Sequence, residues 1–67
     1  MEEEHFLSLD AFARVAHISR QSLSRYIQLG LIEPSAWAGL GRPLFRRSDV
    51  YRVTDAVGQI RSRTLLP

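Results

Sequence analysis

Residues 9–34 read LDAFARVAHISRQSLSRYIQLGLIEP, and the punctuation of this stretch decides the fold. Ser8 precedes it as a helix N-cap, with Asp10 in the first turn, where the helix dipole favours an acid. Leu9, Phe12, Ala13 and Ala16 recur at i, i+3, i+4 and i+7, which is one face of a short helix. His17-Ile18 interrupts it, and Ser19 is a second N-cap. Leu23, Tyr26 and Ile27 give a second helix, Arg20 to Leu29, its apolar face. Gly30 fits the position after a helix where φ is positive, Leu31 and Ile32 follow as apolar anchors, and Pro34 prevents the helix from resuming.

Two short helices joined by a tight turn read as a helix-turn-helix over residues 9–28. Ala13 keeps the helices close, Ile18 plugs the gap after the turn, and Leu23 with Tyr26 or Ile27 fixes the second helix on the first. The turn position usually asks for Gly; His17 is among the non-Gly types that tolerate positive φ. With those residues inside, the second helix turns Ser19, Arg20, Gln21, Ser24, Arg25 and Gln28 outward. Arg can grip guanine O6 and N7, Gln can bracket adenine N6 and N7, and Ser can reach base or phosphate. The N-terminal part of such a helix usually meets base edges, which favours Arg20, Gln21 and Ser24. The alternative is an ordinary solvated face. Against it, no acid occurs from Arg14 through Ile32, whereas a neutral surface helix usually mixes Glu with Arg for i,i+4 pairs.

Beyond Pro34, Gly39, Gly41 and Pro43 mark a hairpin. Two strands, 35–37 and 44–46, are expected around a tip at residues 38–42. Arg46 or Ser48 then starts a third helix, whose Val50, Val53, Val57 and Ile60 recur at i, i+3, i+7 and i+10. The expected architecture is mainly α: a small winged helix-turn-helix of three helices plus a two-stranded β wing. Its boundaries are an acidic, partly disordered leader at 1–7, a domain at 8–62 and a tail at 63–67. Within the leader Phe6 and Leu7 are candidates to dock on the core, and Trp37 is expected to lid it.

With 67 residues and no Cys, the chain allows one small domain and excludes a disulfide scaffold. From His5 onward nine Arg face four acids, Asp10, Glu33, Asp49 and Asp55, and there is no Lys. Arg is the better residue for bidentate contact with phosphate or guanine. Arg14, Arg20, Arg25, Arg42, Arg46 and Arg47 are the candidate phosphate neutralisers. No apolar run approaches the roughly 18 residues of a membrane span, and the start Met1-Glu2-Glu3-Glu4 is unlike a signal peptide, so cytoplasmic residence is expected. Catalysis is not expected. His5 and His17 lie 12 residues apart on different elements, with no acid spaced to orient either. Ser8, Ser19 and Ser48 read as caps, and Gly39-Leu40-Gly41 lacks the spacing of a phosphate loop. No metal site or cofactor is expected.

Leu7 to Val57, about three-quarters of the chain, resembles the winged helix-turn-helix DNA-binding domain of the MerR superfamily and related excisionase-like modules. The resemblance rests on Ala13, Ile18, Ser19, Ser22-Leu23, Tyr26, Gly30-Leu31-Ile32 with Pro34, then Gly41-Arg42, Phe45 and Asp49-Val50. It implies a second helix in the major groove of duplex DNA and a wing on the backbone or minor groove. Arg42, expected at the wing tip, takes the family's phosphate-gripping role, supported by Arg46 and Arg47. Where the family has Arg then Tyr after the Leu of the second helix, this chain has Ser24-Arg25, which shifts the phosphate contact to Arg25. The family's regulators continue into a coiled coil and an effector site; with the sequence stopping at Pro67, the expectation is a small stand-alone member without a small-molecule effector. A monomer or weak homodimer, cooperative on DNA, is expected, with Val53, Val57, Leu65 and Leu66 as a candidate pairing face. The competing function is a protein-binding winged helix, such as a modulator of a J-domain co-chaperone.

Overall fold

The computed structural model describes residues 5–64. Three α-helices, α1 (Leu9–Ala16), α2 (Arg20–Gln28) and α3 (Val50–Thr64), surround a small antiparallel sheet of β1 (Phe6–Leu7), β2 (Ala36–Ala38) and β3 (Arg42–Arg46). The sheet order is β1-β3-β2, so β3 is the middle strand.

Both leading helices start and stop by local chemistry. Ser8 Oγ accepts from the Ala11 N–H at 3.2 Å, and Ser19 Oγ accepts from the Ser22 N–H at 3.0 Å, each satisfying an orphan donor of a first turn. Each helix then closes on a left-handed residue. His17 has φ 59, ψ 41; its N–H donates to the Arg14 carbonyl and that of Ile18 to the Ala13 carbonyl. Gly30 has φ 76; its N–H donates to the Ile27 carbonyl and that of Leu31 to the Tyr26 carbonyl. These are paired Schellman closures, which satisfy carbonyls that would otherwise be stranded. His17 does what Gly does elsewhere in such turns.

Phe12, Ala13, Ala16, Ile18, Leu23, Ile32, Phe45, Val53 and Val57 form the core. The largest fully buried side chains come one from each major element: Phe12 from α1, Leu23 from α2, Phe45 from β3 and Val53 from α3. The Phe12 and Phe45 rings stack with centroids 4.3 Å apart and planes 11° from parallel, joining the helices to the sheet.

The sheet has three strands, not two, because Phe6 pairs with Arg46 and Leu7 with Phe45. The end of the expected leader therefore belongs to the domain; Leu7 packs on the core, while Phe6 stays 42% exposed on the other face. Residues 1–4 lie outside the described residues. The hairpin strands are longer and its tip shorter than expected. Ala36, Trp37 and Ala38 pair with Leu44, Pro43 and Arg42, which leaves only Gly39–Gly41 at the turn. Arg42 is thus a strand residue at the last pair and not part of the tip. Pro43 is tolerated because β1 is too short to reach it, so β3 has a neighbour on one side there. α3 runs through Arg63 and Thr64, so the expected tail begins too early; Leu65 and Leu66 fall outside the described residues. Val53 and Val57 cannot form a pairing face, since both are buried in the core. Trp37 is no lid: it is 57% exposed and is not among the side chains packed on the core. Leu31 anchors nothing either, being half exposed, while its neighbour Ile32 is buried.

Asp49 joins the sheet to α3, and Ser48 does not cap that helix. The Asp49 carboxylate accepts from the Arg46 N–H at 2.8 Å and from the Ser35 hydroxyl, and it lies 3.5 Å from the Arg52 guanidinium. Burial alone would push its pKa up, but the hydrogen bonds from Ser35 and Arg46, with the charge of Arg52, outweigh burial and hold it below the ordinary value. A carboxylate with a lowered folded pKa contributes stability above its unfolded pKa of about 3.9, lost as pH falls through the folded value. Urea titrations at stepped pH should show wild type losing stability below about pH 4 more steeply than Asp49→Asn; parallel curves would contradict this role. Gly30→Val should lower stability by about 1–2 kcal/mol or more, and Gly30→Asn by less, because only the β-branched residue strongly resists positive φ. Thermal melts of the two variants check it, and equal melting temperatures would remove the left-handed closure as the cause.

Candidate nucleic-acid interface

α2 buries Leu23 fully and packs Tyr26 and Ile27 partly against the core. The 3.6-residue repeat then places Arg20, Gln21, Arg25 and Gln28 in solvent, with Ser24 half-buried between them. Together with Leu9, Ser22 and Leu29 these five side chains line one open groove. Ser19, expected both as the α2 cap and as a contact residue, is exposed and caps α2 by accepting from the Ser22 N–H, and its O–H remains a donor. The exposed N–H groups of the first turn, with the dipole behind them, still favour an anion at that end.

Arg20 is not a bare cation. Its Nε lies 2.7 Å from Asp10 Oδ1 of α1, with the two side chains 71% and 59% exposed. Asp10 is the first-turn acid of α1, and its reach across the turn to Arg20 depends on how the helices pack. The contact uses one N–H of the guanidinium and leaves its terminal N–H donors for another partner. Arg25 has no ion-pair partner among the described residues.

The other expected arginines lie outside this groove. Arg14 is exposed in the last turn of α1. Arg42 and Arg46 alternate with the buried Phe45, so they share the outer face of β3. Arg46 places its guanidinium carbon 5.6 Å from the Phe6 ring centroid, a cation–π contact. Arg47 is exposed in the turn (Arg47–Asp49) that leads into α3. The hairpin nevertheless neighbours α2. A second depression is lined by Ile27, Gly30 and Ile32 at the end of α2, by Glu33, Pro34 and Ser35, and by Trp37 of β2.

Comparison of the chain with protein-family models, with curated proteins and with solved structures finds no match. Among the described residues, no helix is long and apolar enough to cross a membrane.

Because both partners are exposed, the Asp10–Arg20 pair should contribute little to folding. A double-mutant cycle with Asp10→Asn and Arg20→Gln should give a coupling of about 0.2–1 kcal/mol by urea denaturation. A coupling of several kcal/mol would make the pair structural and take Arg20 out of any interface.

Proposed function

We propose that the protein is a sequence-specific duplex-DNA-binding protein of the winged helix-turn-helix type, resembling the small stand-alone members of the MerR superfamily. Its role is that of a transcriptional regulator or a recombination or architectural factor. The observation that carries this reading is the exposed polar face of α2, where Arg20, Gln21, Arg25 and Gln28 stand in solvent with Ser24 between them and no acid on that helix. α2 is the element that enters the major groove, and the β2–β3 hairpin is the wing. Arg20, steadied at Nε by Asp10, turns its terminal N–H donors to a guanine; Gln21 and Ser24 read neighbouring bases. Arg25, Arg14, Arg42, Arg46 and Arg47 neutralise phosphates.

A second reading, a protein-binding module, is favoured by Leu29, Leu31 and Trp37, all large apolar side chains left at least half exposed near the end of α2. A protein partner would use that apolar rim and be indifferent to salt; DNA would use the arginines and be sensitive to it.

Fluorescence anisotropy with labelled random duplex at about 50 and 200 mM salt separates the two. Micromolar affinity that falls steeply is expected, with a log–log slope of about −0.9 for each neutralised phosphate. Arg25→Ala should weaken binding to every sequence and flatten that slope by about one contact. Arg20→Ala should cost about 1–3 kcal/mol on the best site and relax selection at one position. No binding at the lower salt would favour the protein partner.

A further inference from the structure

His17 and Leu40 are the non-glycine residues with positive φ among the described residues. His17 closes α1 and so has a structural reason. Leu40 and Gly41 turn the chain at the hairpin tip, where two successive positive φ values suit the twist of the strands, but Asn, Asp or Gly is the residue such a turn prefers, not Leu. Leu40 sits at φ 66, ψ 23 between Gly39 and Gly41, at the tip of the β2–β3 hairpin, and its side chain is 95% exposed. Gly or Asn holds this conformation at less cost than a branched apolar residue, and Leu40 gains no burial in exchange. An isolated exposed leucine needs no explanation, but an exposed leucine in a left-handed turn does.

Its flanks sharpen the point. Gly41 needs its φ of +73, but Gly39 lacks a positive φ and a Cβ there would meet nothing within 4 Å. Nothing inside the fold therefore asks for glycine at 39. The two glycines leave a backbone-thin tip from which one apolar side chain projects. Immediately behind it, Arg42 occupies the last strand pair, and from Ser35 to Ser48 the chain carries Arg42, Arg46 and Arg47 and no acid. An apolar point backed by cations matches a polyanion with an apolar interior. The minor groove of duplex DNA, about 6 Å wide, is such a target, and side chains of this type enter it to part stacked bases.

We propose that Leu40 is a wedge that enters the minor groove of duplex DNA and partly unstacks one base step, with Arg42 on the adjoining phosphate. The wedge rests on the DNA-binding reading and adds to it a site and a consequence: the protein kinks its DNA. Pyrimidine–purine steps, the easiest to unstack, are the preferred point of entry.

The test compares wild type with Leu40→Asn and Leu40→Gly, using random-sequence duplex labelled at both ends. Both variants should melt at or above the wild-type temperature, since each suits the left-handed turn. Both should bind more weakly at every salt concentration with an unchanged salt slope, because no charge is removed. Energy transfer between the duplex ends should show wild type bending the DNA by roughly 20–90° and the variants bending it less. Arg42→Ala serves as the contrast, since it should flatten the slope. Wild-type bending and affinity in Leu40→Asn would refute the wedge and leave DNA binding standing, and so would a partner protein or membrane losing affinity for Leu40→Asn while DNA binding does not change. No salt-dependent duplex binding by wild type at all would overturn both, and wild type and variants would then be indistinguishable in the DNA assay.

Discussion

The stack of Phe12 on Phe45 is the contact on which the rest of the molecule depends. A two-helix unit as short as α1–α2 is marginal alone, and so is a three-stranded sheet whose first strand has two residues. The stacked rings couple them, because Phe12 lies on the helix that packs against α2 and α3, and Phe45 on the strand that both other strands need. Leu23 and Val53 complete the set of fully buried large side chains around that pair. A core this small leaves little redundancy. The backbone must enter and leave each helix at a set angle, which explains the two serine caps and two left-handed closures within about two dozen residues.

What was legible in the sequence is what is local. The periodicity of Leu9, Phe12, Ala13 and Ala16, the caps at Ser8 and Ser19, and the stop at Gly30 each lie within one helical turn of their partners, and the structure has all of them. The repeat of Val50, Val53, Val57 and Ile60 marked α3 for the same reason. What stayed hidden joins distant positions. β1 is two residues long, too short for alternation to show, and becomes a strand only because β3 offers an open edge. Ser35 and Asp49 are 14 residues apart, and their hydrogen bond exists because the hairpin brings its two ends together. In the candidate site, the outward set on α2 could be read once its buried residues were assigned. The Asp10–Arg20 pair could not, since an acid in a first turn already has a local explanation.

The arginines differ in what their guanidinium groups touch within the fold. Arg20 is held at one nitrogen by Asp10, and Arg46 lies over Phe6. Arg52 serves the Asp49 cluster. In the proposed complex, the held Arg20 suits base reading, where direction matters. Phosphates ask only for proximity to charge, so Arg46 can serve there from its place over Phe6 as Arg25 and Arg42 can from theirs. Asp10 contributes in a second way to that proposal. A carboxylate beside Arg20 repels a phosphate that approaches the same guanidinium, so the pair disfavours backbone contact there and leaves guanine the better partner.

Exposed apolar residues in a chain that is 45% hydrophobic need sorting before any is given a role. Phe6 is covered in part by a guanidinium, and Tyr51 stands on the solvent side of α3. Leu29, Leu31 and Trp37 lie near the end of α2 without a positive φ, so exposure alone marks them, as the rim the second reading would use. Leu40 differs because its backbone is unfavourable for its own side chain and its side chain is unfavourable for its own surroundings. Local consistency is the rule in a sequence that folds to one structure, and departures from it concentrate where the molecule meets something else. A hairpin tip with Gly, Leu and Gly breaks that rule twice in three residues, on the element that serves as the wing in the proposed complex.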